Sequence, residues 1–292
     1  MGSSDFAFDE IGYWSEIKLD IVKDYASAYS GILTAQKDPG FYHVYIDGFS
    51  GPGAHISRAT REFVPGSPTN ALLVDPPFLE YHFVELDPGK AAALREIVSD
   101  RPEAHVYEGD CNTILLREVF PKVQYSDYRR GLCLLDPYGL HLDWEVIATA
   151  GQMKTIEVFL NFPVQDMNRN VIWRDPDRER RPADIERMNR FWGDESWRGV
   201  AYKPDKQYKL FGGVSYEKES NEAIVEGFRQ RLKEMAGFKY VPQPIPMRNT
   251  RGAVVYFLFF ASYNAAGGRI VGDIFKKYDF GGRGHSGFEL IY

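Results

Sequence analysis

"HVYIDGFSGPGAH", residues 43–55, joins a short apolar run to a glycine-rich loop through a single acid, Asp47. The run is rich in β-branched and aromatic residues and is cut off by glycine, which predicts a strand. Gly48, Gly51 and Gly53 follow within six residues of Asp47. Glycines so spaced either shape a turn or let backbone approach a ligand closely. A nucleoside triphosphate loop would end in Gly-Lys-Ser/Thr, and no such ending is present. A dinucleotide fingerprint would open a helix at once and place an acid roughly 20 residues further on. Here "AHISRATREFVPGS" separates the glycines from the next helix, and the next acidic strand end is Glu85. The pyrophosphate reading is therefore disfavoured.

The rest of the chain repeats the pattern of strand, loop and helix. Residues 13–36 carry Trp14, Ile17, Ile21, Val22, Tyr25, Tyr29, Ile32 and Leu33 at three- and four-residue steps, an N-terminal amphipathic helix. "PGSPTNALL" predicts a helix with Ser67 as N-cap and Pro68 in its first turn. "YHFVELDPGKAAALREIVSDR" predicts strand, turn and helix, with Asp87 as N-cap. "AHVYEGDCNTILLREVF" and "GLCLLDPYGLHLDWEVIATAG" repeat this, and "TIEVFLNFP" adds a fifth strand. Short, nearly continuous apolar strands alternating with helices predict a doubly wound, mostly parallel α/β sheet. "YVPQPIPMRNTRGAVVYFLFFASYN" predicts an antiparallel hairpin at a sheet edge, and "GGRIVGDIFKKYD" a last helix. The tail "FGGRGHSGF" shows no period. The chain is expected to be one domain over its 292 residues, with residues 165–214 inserted as a helical cap without clear strands.

Bulk numbers narrow the function classes. A chain of 292 residues, 44% hydrophobic and 26% charged, suits a soluble globular protein with a sizeable core. Two cysteines, Cys111 and Cys133, make no disulfide framework and no metal cluster, which predicts a reducing, cytoplasmic setting. No apolar run approaches the roughly 18 residues of a membrane span, and no signal peptide is expected at the start. A net charge of −6 disfavours nucleic-acid binding by bulk charge, while leaving a local basic face open.

In open α/β sheets ligands bind beyond the carboxyl ends of the strands. Those ends carry Asp47 to Gly53, Glu85 and Asp87, Asp110 to Asn112, Asp136 to Gly139, and Asn161 to Pro163. A ligand with a ribose and a cationic amino-acid tail, but no phosphate, suits them, and S-adenosylmethionine is such a ligand. The expected cofactor residues are Asp47, Phe49, Gly51, Gly53, Glu85, Asp110 and Cys111. Asp47 would face an ammonium or an ordered water, Glu85 would take both ribose hydroxyls, and Asp110 would accept the adenine amino group. Each acid taken singly could equally be a helix N-cap, Asp87 above all.

"YIDGFSGPG", "FVELDP", "GDCN" and "LLDPYG" resemble, in order, the first four motifs of the class I S-adenosylmethionine-dependent methyltransferases, over about residues 42–163. More narrowly, "YWSEIKLDIVKDYASAY", "YIDGFSGPG", "GSPTNAL", "LLDPYGLHLDW" and "NFP" resemble the three-Cys-motif partner family over most of the chain. That family comprises bacterial proteins with a methyltransferase-like fold, encoded beside a radical-enzyme-like protein bearing a three-cysteine motif. The resemblance implies a seven-stranded sheet whose last strand is antiparallel, and such a protein as partner. "DPYG" resembles the Asp/Asn-Pro-Pro-aromatic motif of enzymes that methylate amino groups of bases, which implies catalytic roles for Asp136, Pro137 and Tyr138. It lacks the second proline, and the ring comes one position early; the same residues also suit a tight turn. His55 and His141 lie near the same rim. Three readings follow: methyl transfer to a nucleic-acid base, a cofactor-binding partner of the three-cysteine protein, or methyl transfer to a small molecule.

The segment 165–214 holds Arg169, Arg174, Arg178, Arg180, Arg181, Arg187 and Arg190 among nearly as many acids. Mixed charge of this kind predicts a solvated, salt-bridged surface. Interleaved Trp173, Trp192 and Trp197 would alternatively offer stacking faces to a flipped base.

Overall fold

The computed structural model describes residues 10–38, 40–176, 178–204, 216–249 and 251–278. The glycine-rich tail and residues 205–214 of the insertion lie outside them. Seven strands form one sheet: β1 (Tyr42–Asp47), β2 (Glu80–Glu85), β3 (Ala104–Glu108), β4 (Arg129–Leu135), β5 (Ile156–Phe162), β6 (Ile245–Arg248) and β7 (Val254–Ala261). Their spatial order is β6-β7-β5-β4-β1-β2-β3. The pairs β1–β2, β1–β4, β2–β3 and β4–β5 are parallel, and β7 is antiparallel to both β5 and β6. This is the mostly parallel sheet with a C-terminal hairpin that the sequence predicts.

The helices are α1 (Tyr13–Ala35), α2 (Ser67–Leu72), α3 (Pro88–Ile97), α4 (Cys111–Ile114), α5 (Trp144–Met153), α6 (Val164–Asn170), α7 (Pro182–Trp192), α8 (Trp197–Ala201), α9 (Asn221–Glu234) and α10 (Ala265–Tyr278). Strand alternation divides the core between the two faces. Tyr45, Phe83 and Leu134 pack with α1, α2, α3 and α10. Ile46, Val84 and Leu135 pack with α4, α5, α9 and the insertion.

Three local readings need correction. The N-cap of α2 is Gly66, not Ser67. Gly66 N–H donates to the Gly53 carbonyl at 2.8 Å, and a Cβ at residue 66 would sit 2.9 Å from that carbonyl, so only glycine fits the crossing. Ser67 is thereby moved inside the helix. The insertion does contain a strand: Tyr202–Pro204 pairs antiparallel with Tyr216–Lys218, just beyond the insertion's end. Finally, the stretch after the glycines is a hairpin, Ala54–Ser57 with Phe63–Pro65, which pairs parallel with Glu10–Ile11 just before α1. Strands of two to four residues are too short to show a period.

Gly151 shows how closely the second layer is packed. A Cβ there would lie 2.2 Å from the Ala236 carbonyl oxygen, a backbone atom that cannot swing aside. Gly151→Ala is expected to cost about 3 kcal/mol, measured as a lowered urea midpoint at unchanged slope. A shift within 0.5 kcal/mol would show the interface to be loose.

Candidate active site

The register of the strands assembles the site. Leu135 pairs with Leu160, so the next residues, Asp136 and Asn161, emerge side by side at the carboxyl end of the sheet. Antiparallel β7 starts at that same end, with Phe257 opposite Phe162, which brings Tyr256 alongside. α1 crosses above and contributes Lys18. Together with the loop of residues 49–51 and the turn of residues 136–139, these groups line a cavity of about 410 Å³. The hairpin after the glycines closes one wall through His55, and the strand before α1 does so through Glu10 and Ile11.

The polar floor is tightly connected. Lys18 Nζ donates to Asp136 Oδ2, and Asn161 Nδ2 donates to Asp136 Oδ1 at 2.6 Å. The Lys18 ammonium also lies 5.6 Å from the centre of the Tyr256 ring. Burial opposes its charge, but Asp136, Tyr256 and Asp47 outweigh burial and raise its pKa. Asp47 is fully buried and does not itself line the cavity, although its neighbours Phe49, Ser67, Lys18 and Asp136 do. Its Oδ1 accepts the Phe49 N–H at 3.1 Å, and its Oδ2 is buried without a hydrogen-bond partner among the described residues. Burial pushes the Asp47 carboxyl up to about 7, against the pull of Ser67 and Phe49.

The other expected cofactor residues fall into distinct settings. Gly51 has φ +64° and space beside its Cα, since a Cβ would meet only His55, at 4.0 Å. Gly53, at φ +85°, is needed for packing instead: a Cβ would lie 2.7 Å from Ile97 of α3. Glu85 is buried beside the loop, its Oε2 accepting Gly51 N–H at 2.7 Å and its Oε1 accepting Asp87 N–H at 2.8 Å. Each carboxylate oxygen keeps a second lone pair. Asp110 is an exposed N-cap of α4, accepting Thr113 N–H at 3.0 Å, and Asp87 caps α3 in the same way through Lys90 N–H at 2.9 Å. Cys111 is a core residue, with burial pushing its thiol up. Pro137 and Tyr138 line the cavity, and the Tyr138 ring is 68% exposed at its rim. His141 lies outside the lining, exposed and 3.5 Å from Arg187 Nη1.

Of the insertion's three tryptophans, Trp173 stays partly exposed, with the Arg178 guanidinium 4.2 Å from its ring centre. Trp192 and Trp197 are fully buried in the core with Phe162 and Phe228. Three of its arginines are matched: Arg181 and Arg187 both bind Asp184 at 2.6 Å, and Arg190 binds Asp143 at 2.7 Å. Among its described residues only Gln165 and Asp166 reach the cavity.

Sequence reasoning missed Lys18. Its signal was available: it lies between Ile17 and Ile21 of α1, a charge in phase with the buried stripe.

Comparison with solved structures bears on the architecture. The Legionella pneumophila protein LPL1258 superposes with a TM-score of 0.50 at 13% identity, over 89% of this chain and 92% of that one. A candidate methyltransferase from Thermobifida fusca gives a TM-score of 0.39 at 14% identity, over 85% and 82% of the two chains. The candidate methyltransferase yhhF of Escherichia coli gives 0.34 at 10% identity, over 80% and 85%. At such identities the likeness is one of fold. What the likeness bears on is the α/β architecture, a mostly parallel seven-stranded sheet with a C-terminal antiparallel hairpin. No protein-family model and no curated protein matches the sequence. Among the described residues no helix is long and apolar enough to cross a membrane.

The groups present suit S-adenosylmethionine, the cofactor that the sequence motifs imply. Asp47 Oδ2 is an unsatisfied buried acceptor behind the loop, Gly51 leaves an open backbone cradle, and Glu85 stands at the end of β2 with lone pairs to spare.

Two predictions follow from the electrostatics. Removing one partner of a buried ion pair strands the other, at a cost of about 3–5 kcal/mol. Lys18→Met should therefore destabilise strongly, and Lys18→Met with Asp136→Leu should cost less than the sum of the single changes, measured by a double-mutant cycle. Additive effects would mean that the pair is not formed. For Asp47, the folded state favours the protonated acid. That stabilisation is complete below the ordinary value of 3.8 and is lost as pH rises through about 7. Asp47→Asn, permanently neutral, should gain melting temperature over the native chain by a few degrees at pH 8 and by much less at pH 5. Equal shifts at both pH values would contradict the burial argument.

Proposed function

We propose that this chain transfers a methyl group from S-adenosylmethionine to an amino nitrogen, most simply that of a nucleic-acid base. The observation that carries the proposal is the meeting, in one cavity, of the glycine loop with a hydrogen-bonding floor and an exposed aromatic rim. When bound, S-adenosylmethionine supplies a methyl group already activated by its sulfonium, so the protein's part is mostly placement. Glu85 is the acid that would hold the ribose, Asp47 stands behind the loop, where it would act through an ordered water, and Gly51 admits the ligand's close approach. Tyr138, at the mouth, offers a face on which a planar acceptor stacks, and Pro137 and Asp136 form the wall below it.

A second reading draws on the same contacts. Both Asp136 oxygens and both Glu85 oxygens are already engaged by the protein itself. A site so latched would suit a cofactor-binding protein that works, or becomes active, only when docked to a partner such as the three-cysteine radical-enzyme-like protein of the family it resembles.

Calorimetry with S-adenosylmethionine is expected to show binding, weakened about ten-fold or more by Glu85→Ala, the loss of a charged hydrogen-bond partner. No binding at millimolar concentration would remove the methyl-transfer reading. Tritiated methyl transfer into cell extract should place label in the nucleic-acid fraction. Label confined to small molecules would redirect the substrate, and cofactor binding without any transfer would favour the docking reading.

A further inference from the structure

We propose that Asn161, fixed by Asp136 and Lys18, is the residue that recognises an N–H of the methyl acceptor, so that the site selects weakly basic, planar amines over aliphatic ammonium groups. The inference deepens the methyl-transfer reading of the same cavity and rests on it.

Asp136 is the residue that motif resemblance would choose; its Oδ2 accepts from Lys18 and its Oδ1 from Asn161, so its charge is balanced by the lysine and each oxygen already holds one donor. Asn161 is 8% exposed, lies in the cavity wall, and has its Oδ1 buried without a hydrogen-bond partner among the described residues. Its orientation is settled by chemistry: opposite a charged lysine, Asp136 is a carboxylate and accepts only, so the amide must turn its NH2 to Asp136 and its oxygen away. A buried acceptor with no donor is costly. Within the cavity wall it calls for an N–H or O–H from whatever enters.

The neighbouring charge then decides which donor. An amine must be neutral to attack a methyl group. A free carboxylate would favour the protonated, unreactive ammonium, whereas an amide oxygen is neutral. The Lys18 ammonium, on the other oxygen of Asp136, makes a second cation unfavourable. Aromatic amines such as those of adenine and cytosine are neutral near pH 7 and planar enough to lie against Tyr138. Alkyl amines satisfy neither condition. Lys18 and Asp136 thus act as positioning residues and Asn161 as the contact.

Adenosine and cytidine, their analogues lacking the amino group (purine riboside and 2-pyrimidinone riboside), and putrescine are suitable probes. Dissociation constants would be measured by ligand-observed NMR on the full chain, in the presence of S-adenosylhomocysteine. The native protein is expected to prefer adenosine or cytidine over its deaminated analogue by about ten-fold, and to bind putrescine more weakly than either nucleoside. In Asn161→Ala the preference should vanish while the analogue's affinity is unchanged; Asn161→Ser, which keeps a donor to Asp136, should behave likewise if the alanine variant fails to fold. Lack of preference in the native protein, a preference that survives both changes, or tight putrescine binding would overturn the inference. Parallel tritium-transfer assays separate the two ideas. An Asn161-dependent preference without transfer counts against the methyl-transfer reading alone, and transfer indifferent to Asn161 counts against this inference alone.

Discussion

Lys18 reaches from α1 to Asp136 at the end of β4, and in doing so fixes the first helix to the centre of the sheet. The pair is deeply placed, with side-chain exposures of 9% for Lys18 and 28% for Asp136. Ion pairs so far from water are poor sources of net stability, because desolvation offsets attraction. What they supply well is a unique arrangement. With Lys18 on one oxygen, Asp136 turns the other to Asn161. The side chains of three elements distant in sequence therefore have one mutual geometry. That geometry also sets the sign of the local field, one ammonium against one carboxylate with Asp47 held largely back by burial.

The glycine loop shows the same division between packing and ligand. Gly53 and Gly66 let two backbones touch where the chain crosses itself before α2, and Gly53 must also clear Ile97. Within the loop, Gly51 is the glycine that combines a left-handed backbone with space at its Cα. Its N–H is fastened to Glu85, so the acid at the end of β2 shapes the loop it helps to serve. A carboxylate that holds the loop and retains lone pairs links cofactor affinity to loop geometry, and the two cannot be tuned separately at this position.

Much of this was legible in the sequence. The alternation of apolar runs with helical periods predicted the parallel sheet, because buried strands leave an almost continuous apolar trace. The hairpin at residues 245–261 was visible for the same reason. Strand-end polar residues located the site, since sheet topology brings all carboxyl ends to one edge. What was hidden depended on pairing rather than pattern. That Asp136 stands beside Asn161 follows from strand register, which no single strand encodes. The small sheet of residues 10–11, 54–57 and 63–65 is too short to carry a period. Ser67 looked like a cap because caps are assigned by residue type, whereas the Gly53–Gly66 crossing decided the helix start. Trp192 and Trp197 looked available for stacking because their company is charged, yet both fill the core between α7, α8 and α9.

That burial has a consequence for where an acceptor must be read. The insertion packs Trp192 and Trp197 in the core and pairs Arg181, Arg187 and Arg190 with Asp184 and Asp143. Those three cations are balanced where they stand and are screened from a phosphate backbone beyond a Debye length of about 8 Å. Recognition of a planar acceptor then falls to the cavity itself: Tyr138 at the rim, where Lys90 lies 5.9 Å from the ring centre, and the amide of Asn161 within. An enzyme built in this way would discriminate by the acceptor's ring and amino group more than by its charge. Its affinity for acceptor would accordingly depend only weakly on salt, because few counterions are released when few phosphates are held.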